Sequence, residues 1–102
     1  MNKRLLTLGL AKRASALVVG ETKVYEQITK HHLLFLASDV GQATKNKVEG
    51  KCHHYGIEID ASFTREQLSA ALGTQNTVVV GVTDAGFARL LKEDSDGQTK
   101  GN

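Results

Sequence analysis

The sequence predicts a single α/β domain, a three-layer α/β/α sandwich built around a small, mainly four-stranded mixed sheet. Three observations predict this architecture. Helix-like and strand-like segments alternate along the chain, an order typical of sheets covered by helices. Residues 33–37 and 78–82 are apolar without alternation, as strands buried on both faces are. The chain has 102 residues, a length typical of one domain.

The first predicted helix spans residues 2–14 and is amphipathic. Its apolar residues recur at steps of four, the spacing of one helical face. This stripe consists of Leu6, Leu10 and Ala14, with Leu5 and Leu8 alongside. The polar side consists of Lys3, Arg4, Thr7, Lys12 and Arg13. The pattern therefore predicts that the Leu6 stripe is buried and that Arg4 is exposed.

A short strand over residues 16–19 is followed by a second helix over residues 21–30. Gly20 separates the two and occupies the N-cap position of the helix. Glu21 places a negative charge in the first turn, where the helix dipole favours it. The side chains expected to face inward are Val24 and Ile28.

A central strand over residues 33–37 precedes a third helix over residues 42–55, which ends at Gly56. The residues 57–61 alternate strictly between apolar and polar, which predicts an edge strand with one solvated face. The inward stripe of the third helix consists of Thr44, Val48, Cys52 and Tyr55.

The last part of the domain contains a helix, a strand and a helix. Thr64 and Gln67 have the spacing of a capping box, and the helix that it opens ends at Gly73. Residues 77–83 form the second central strand, and Asp84 caps a final helix.

We expect the final helix to end near residue 93, so that the domain covers residues 1–93 and a polar, mobile tail covers residues 94–102. No apolar run approaches the roughly 20 residues that cross a membrane. The N-terminal segment is too short and too amphipathic for a secretory signal. A single cysteine cannot form an internal disulfide, which favours a reducing compartment. We therefore expect a cytoplasmic protein without membrane contact.

Charge is distributed unevenly along the chain. Residues 1–51 contain nine Lys and Arg side chains against four acidic ones, whereas residues 52–102 contain four against seven. A basic half beside an acidic half indicates a face that attracts polyanions, nucleic acid among them. The net charge of +2 is too small to identify such a face by itself.

No pattern of catalytic or metal-binding residues stands out. His31-His32 and Cys52-His53-His54 are runs of adjacent residues, whereas helical zinc ligands are spaced by three or four residues. Cys52 lies on an apolar stripe, which favours a buried thiol over a nucleophile. Glycine-rich phosphate loops are also missing from the sequence. We expect no enzyme activity, cofactor, metal site or small-molecule substrate.

Residues 16–23 are the most informative stretch. A short strand that passes through Gly20 into a helix leaves backbone N–H groups without a helical partner. Beside Lys23 and Arg65, these groups suit an RNA phosphate or a base edge. The alternative interpretation is a solvated helix N-terminus without a ligand, a feature that every α/β domain contains several times.

Six segments carry a more specific signal. They are LGLAKRASALVVGE at residues 8–21, LASD at 36–39, TKNK at 44–47, KCHHY at 51–55, LSAALG at 68–73 and VTDAGFA at 82–88. Together they resemble the bacterial YlxQ-type proteins, which belong to the superfamily of the archaeal L-seven-Ae and eukaryotic L-thirty-e ribosomal proteins. The resemblance covers about residues 3–92.

The resemblance implies an α/β/α fold and RNA binding without catalysis, since the best-known members bind kink-turn RNA. In that mode, the N-terminus of the helix after the first strand enters a groove widened beside tandem sheared G·A pairs, which ordinary A-form RNA does not offer. The RNA-binding residues implied for this chain are Gly20, Glu21, Thr22, Lys23, Glu26, Arg65, Gly73 and Thr74.

The chain departs from the family pattern at several of these places. The family motif Asn-Glu-x-x-Lys falls on residues 22–26, where Lys23 stands in place of the acid and Glu26 in place of the lysine. Ser69 replaces the first glycine of the family's Leu-Gly-x-Ala-x-Gly. The loop at residues 73–76, which the resemblance places against RNA, is polar.

We interpret the chain as a non-catalytic, ribosomal-protein-like RNA-binding protein. We expect a monomer whose partner is structured RNA, a kink-turn or ribosomal RNA in a ribosome-associated setting. The alternative is a protein-interaction module of the same fold with weak or lost RNA binding. A third class, domains attached to RNA methyltransferases, is disfavoured because we expect no catalytic domain beside this one.

Overall fold

The computed structural model describes residues 2–100, with the side chains described through residue 93. Five helices, four strands and one 3-10 turn follow one another along this part of the chain. They are α1 (Lys3–Arg13), β1 (Leu17–Val19), α2 (Glu21–Glu26), the 3-10 turn (Ile28–Lys30), β2 (Leu33–Leu36), α3 (Gln42–Tyr55), β3 (Ile59–Asp60), α4 (Arg65–Leu72), β4 (Val79–Val82) and α5 (Ala85–Lys100). No helix in this range is long and apolar enough to cross a membrane.

The four strands form one mixed sheet in the order β1-β4-β2-β3. Strand β4 runs antiparallel to both β1 and β2, and β2 runs parallel to β3. The two apolar strands are central and completely buried, and β3 lies at an edge, as the patterns predicted. The mixed four-stranded sheet is thereby confirmed.

Helices cover both faces of the sheet, because successive strand residues point to opposite sides. On one face, Phe35 and Val80 pack with side chains of α1, α4 and α5. On the other face, Leu34 and Val79 pack with Val24 of α2 and with side chains of α3. The predicted three-layer α/β/α sandwich is therefore confirmed.

The prediction of which side of α1 is buried was wrong. Leu6 is 54% exposed and Leu10 56% exposed, and Ala14 is exposed as well. The buried residues of the helix are Arg4, Leu5, Leu8 and Ala11. Since leucines lie around most of its circumference, the periodicity of α1 does not select a face. Contact with the sheet selects the Leu5–Leu8 side.

Arg4 was predicted to be exposed, but it is only 2% exposed. Its guanidinium pairs with the carboxylate of Asp60, and its Nε donates to the carbonyl oxygen of Leu91 at 3.3 Å. The guanidinium carbon lies 5.6 Å from the ring centroid of Phe35 and 5.2 Å from that of Phe63. Hydrogen bonds and aromatic faces thus replace the water that the charge loses.

Two of the predicted helices have different bounds in the structure. The helix predicted over residues 21–30 is divided at Gln27, where φ is −117° and the last part becomes the 3-10 turn. Helix α5 continues to Lys100 instead of ending near residue 93. The division into a domain and a tail at residue 94 stays a prediction.

The predicted helix caps agree with the structure. Gly56 ends α3 with φ 68°, the left-handed conformation that glycine adopts without a steric penalty. Thr64 and Gln67 form both hydrogen bonds of the capping box at the start of α4. The Asp84 carboxylate accepts from the backbone N–H of Phe87 at 2.9 Å in the first turn of α5.

Cys52 is 2% exposed beside Val48, and burial raises the pKa of its thiol. We expect no reaction with a thiol reagent at pH 8 in the native state, and rapid reaction once urea unfolds the chain. Cys52→Ser should lower the free energy of unfolding by about 1–3 kcal/mol, because it buries a hydroxyl without an assured partner. Native labelling as fast as in urea would contradict this burial.

Candidate nucleic-acid interface

Helix α2 begins at a backbone conformation that requires glycine. Gly20 has φ 107° and ψ 142°, a region that side chains disfavour. Its N–H donates to the carbonyl oxygen of Val79 at 3.0 Å, and its own carbonyl accepts the N–H of Val24 at 3.0 Å. The N-cap has no side chain, so the first N–H groups of α2 receive no side-chain cap. These groups remain available for other acceptors.

Glu21 is held by its neighbours instead of pointing freely into solvent. The hydroxyl of Tyr25 donates to its Oε2 at 2.9 Å, and Lys47 Nζ lies 3.8 Å from the same oxygen. Burial, reinforced by the Glu21 carboxylate, raises the pKa of Tyr25. Lys51 Nζ lies 4.9 Å from the centroid of the Tyr25 ring. Glu21 therefore links α2 to α3.

Lys47 and Lys51 belong to the surface around α2, although sequence analysis did not include them. They are four residues apart and share one face of α3, and both are exposed. The TKNK and KCHHY motifs that contain them were the available signal.

Thr22, Lys23 and Glu26 are exposed on the outer side of α2, whereas Val24 is buried beneath them. Within residues 2–93, the structure shows no ion pair between Lys23 and Glu26. Lys23 and Glu26, the two residues whose charges are exchanged relative to the family motif, therefore both face solvent.

Arg65 begins α4 and is tethered to Asp39, which follows β2. The backbone N–H of Arg65 donates to Asp39 Oδ1 at 2.9 Å, and Arg65 Nη2 donates to the Asp39 carbonyl at 3.0 Å. The hydrogen bond from the Arg65 backbone is the main reason that the pKa of Asp39 lies below its usual value. The Arg65 side chain is still 42% exposed. Its guanidinium can therefore contact a ligand from a fixed position.

The loop after α4 is ordered by a residue that sequence analysis did not assign to the site. Ser69 Oγ accepts the backbone N–H of Thr77 at 2.9 Å, and the Ser69 carbonyl accepts that of Thr74 at 2.9 Å. The hydroxyls of Thr74 and Thr77 share a hydrogen bond. Gly73 has φ 69° and starts the turn. The sequence signal for this role of Ser69 was that a serine replaces the first glycine of the family motif.

The sheet places these parts at one of its ends. Gly20 bonds to Val79 at the start of β4, and the N–H of Ala37 donates to the carbonyl of Val78 at 2.8 Å. The chain then reaches Asp39, which holds Arg65. The loop that contains Gly73 and Thr74 leads directly into β4. All eight candidate residues thus lie on elements that meet at the same end of the sheet.

His31 supports α2 from inside the fold. It is 6% exposed, and its Nε2 donates to the Val24 carbonyl at 3.0 Å, since a carbonyl can only accept. Burial lowers the pKa of His31, which favours the neutral imidazole. His32 beside it is exposed, so the two do not share a site. No cluster of metal-ligand side chains occurs among the residues described.

The fold defines the class of the protein as a small three-layer α/β/α domain with one mixed sheet. The chain belongs to the family described as Ribosomal protein L7Ae/L30e/S12e/Gadd45 family, whose sequence profile matches residues 3–92.

Relatives in two bacteria are similar over most of the chain. A Bacillus subtilis (strain 168) protein named RNA-binding protein YlxQ is 38% identical over 86 residues, covering 82% of this chain and 86% of the relative. A protein of the same name from Enterococcus faecium is 32% identical over 97 residues, covering 93% of each chain. These matches confirm the resemblance to YlxQ-type proteins.

Solved structures agree on the fold. A Bacillus halodurans C protein of unknown function superposes with a TM-score of 0.87 at 41% identity, covering 94% of this chain and 99% of that one. The Giardia lamblia 15.5kD RNA binding protein superposes with a TM-score of 0.73 at 14% identity, covering 92% and 93%. At that identity the second likeness shows the shared fold alone.

Proposed function

We propose that this chain is a non-catalytic, cytoplasmic RNA-binding protein that acts as a monomer on kink-turn or related structured RNA. The observation that carries the proposal is the meeting of the α2 start, the tethered Arg65 and the loop at residues 73–77 at one end of the sheet. Its bacterial relatives bear the name RNA-binding protein YlxQ, which supports the same class of ligand.

Each part of this surface has a role that fits structured RNA. The backbone N–H groups after Gly20 suit phosphate or base oxygens, and Lys23 suits phosphate or a guanine edge. Arg65, positioned by Asp39, suits a backbone phosphate. The loop carrying Gly73 and Thr74 leads into β4, whose first residue bonds to Gly20. A kinked RNA is favoured over a plain duplex because its widened groove admits a helix.

A titration against two RNAs tests the proposal. One RNA contains a kink-turn, and the other is a duplex of the same length without the tandem G·A pairs. We expect the kink-turn to bind more tightly by about tenfold or more. If neither this protein nor its Glu26→Lys variant binds RNA at low salt, the alternative of a protein-interaction module replaces the proposal.

The salt dependence of RNA affinity should reveal the contribution of Lys23. We expect log affinity to fall linearly with log salt, with a slope of about −0.7 to −0.9 per phosphate neutralised. Lys23→Ala should reduce the magnitude of the slope by about one unit. The control is Lys92→Ala, which should leave the slope unchanged. Lys92 lies on α5, and its Nζ is 3.6 Å from the Glu58 carboxylate. An affinity that salt does not change would contradict the electrostatic part of the proposal.

Glu26→Lys should tighten kink-turn binding by about 1 kcal/mol or more, scaled to one charge-assisted hydrogen bond to RNA. Thermal stability should change little, because Glu26 is exposed and unpaired among the described residues. The matched control is Glu93→Lys, which makes the same charge change beside His32, at the other end of the sheet. Weaker binding by Glu26→Lys would show that this carboxylate itself recognises RNA.

A further inference from the structure

A groove between α1 and α4 lies apart from the proposed α2 contact, although Gly73 of the loop after α4 is among its lining residues. Helices α1 and α4 approach closely where Gly9 faces the Ala71 carbonyl, since a Cβ added at Gly9 would lie 3.1 Å from that oxygen. Above this contact, the two helices leave a groove of about 620 Å³. Its floor is apolar and includes Leu5 and Leu72.

The walls of this groove expose large apolar side chains. Leu6 and Leu10, both more than half exposed, are four residues apart and therefore share one face of α1. Ala70 continues the apolar surface on the α4 side. The leucines of α1 thus lie on two faces. Leu5 and Leu8 pack in the core, whereas the face with Leu6 and Leu10 has no partner among the described residues. Contiguous apolar surface of this kind marks interaction sites.

The charges of the groove indicate the chemistry of its partner. The groove is lined by two cations, Lys12 and Arg13, and by no acidic residue. Both side chains are exposed, and neither forms an ion pair with a carboxylate within residues 2–93. An apolar floor with a positively charged rim is complementary to a ligand that is apolar on one side and negatively charged beside it.

A second copy of the chain fits this groove poorly. A second copy that paired through the same groove would bring no acidic side chain to Lys12 and Arg13, because none lines the groove. It would instead bring these cations toward their own counterparts, which disfavours association. The occupant is therefore sought in another protein.

We propose that the α1–α4 groove docks an acidic amphipathic helix of a partner protein. Apolar side chains of that helix, spaced by three and four residues, pack between Leu6 and Leu10, as in other helix-in-groove complexes. Its carboxylates lie against Lys12 and Arg13. This proposal does not depend on RNA binding, because none of these four side chains belongs to the proposed RNA surface.

The test uses a synthetic helical peptide of about 16 residues, with leucines on one face and glutamates on the other. Its matched counterpart carries lysine in place of every glutamate. We expect the acidic peptide to bind saturably, to shift the amide NMR resonances of α1 and α4, and to bind about tenfold more tightly than the basic peptide. Lys12→Glu combined with Arg13→Glu should reverse that preference.

Polar substitutions distinguish peptide binding in the groove from nonspecific hydrophobic binding. Leu6→Gln and Leu10→Gln should each weaken peptide binding by about tenfold. The matched control is Leu90→Gln, since Leu90 is 50% exposed on α5 and does not line the groove. Circular dichroism melts should stay unchanged in all three variants, because the replaced side chains are exposed.

Several results would overturn the proposal. They are a lack of saturable binding, equal affinity for both peptides, loss of binding in Leu90→Gln to the same extent, and a concentration-dependent dimer in sedimentation that Leu6→Gln abolishes. Loss of kink-turn affinity in Leu6→Gln or Leu10→Gln would assign the groove to the RNA surface and would overturn it as well. A lack of RNA binding by the unmodified protein, together with saturable binding of the acidic peptide, would contradict the proposed function and leave the groove proposal intact.

Discussion

Asp60→Ala should lower the free energy of unfolding by about 3 kcal/mol, because it leaves the buried Arg4 guanidinium without its counter-ion. Arg4 is only 2% exposed, and its remaining hydrogen bond, to the Leu91 carbonyl, does not neutralise the charge. Burial of the Asp60 carboxyl opposes its ionisation, but hydrogen bonds from Ser62 and Arg4 outweigh this and lower its pKa. Urea denaturation at pH 7 measures the loss.

Two further variants test whether the loss of stability comes from the Arg4–Asp60 pair itself. Glu58→Ala removes one partner of the exposed Lys92–Glu58 pair and should cost less than about 1 kcal/mol. Combining Asp60→Ala with Arg4→Met should recover much of the loss, since an apolar side chain needs no counter-ion between Phe35 and Phe63. If Asp60→Ala costs no more than Glu58→Ala, Arg4 does not depend on Asp60.

The same pair predicts how acid affects stability. Because the folded-state pKa of Asp60 is lowered, its contribution to stability is present above the unfolded pKa of about 3.9 and is lost as pH falls through the folded pKa. The wild-type protein should therefore lose stability in acid more steeply than Asp60→Ala. Parallel urea titrations of both proteins between neutral pH and pH 3 measure the difference.

Gly81→Ala should lower the free energy of unfolding by about 3 kcal/mol, because the added methyl group overlaps a buried ring. A Cβ at this position would lie 2.3 Å from His31 Nδ1 and 2.4 Å from Cε1. His31 is enclosed and bonded to the Val24 carbonyl, so it cannot move without losing that hydrogen bond. Urea denaturation is again the measurement.

The control is Gly50→Ala, at an exposed glycine of α3 where an added Cβ meets nothing within 4 Å. This substitution should stabilise the protein by about 0.5–1 kcal/mol, since alanine favours helix. Adding His31→Ala to Gly81→Ala should restore part of the stability, because the methyl group then occupies space left by the ring. Equal effects of Gly81→Ala and Gly50→Ala would contradict close packing of His31 on β4.

The candidate interface was predicted only in part. Resemblance to a family implied Gly20, Lys23 and Arg65 as candidates, because each lies within or beside a contiguous family motif. The contacts that hold the site residues in place were not predicted. Asp39 bonds to Arg65 from 26 residues away, and Lys47 of α3 lies beside Glu21 of α2. Contacts between distant segments leave no periodic pattern in the sequence, so no local rule detects them.

Local interactions were determined by the sequence alone. The caps at Gly20 and Gly56 and the capping box of Thr64 and Gln67 were all predicted, because each depends on partners within a few residues or on the backbone freedom of glycine. The uninterrupted apolar runs likewise identified the two central strands, since only burial on both faces accommodates them.

Only the tertiary structure decided which side of α1 is buried. The sequence determines that Lys3–Arg13 is helical, but its leucines lie on two faces and its periodicity fits either of them. Burial of Arg4 required the carboxylate of Asp60, 56 residues away, together with the rings of Phe35 and Phe63. The free energy of burying a side chain depends on the groups that replace water around it, and folding alone brings those groups together.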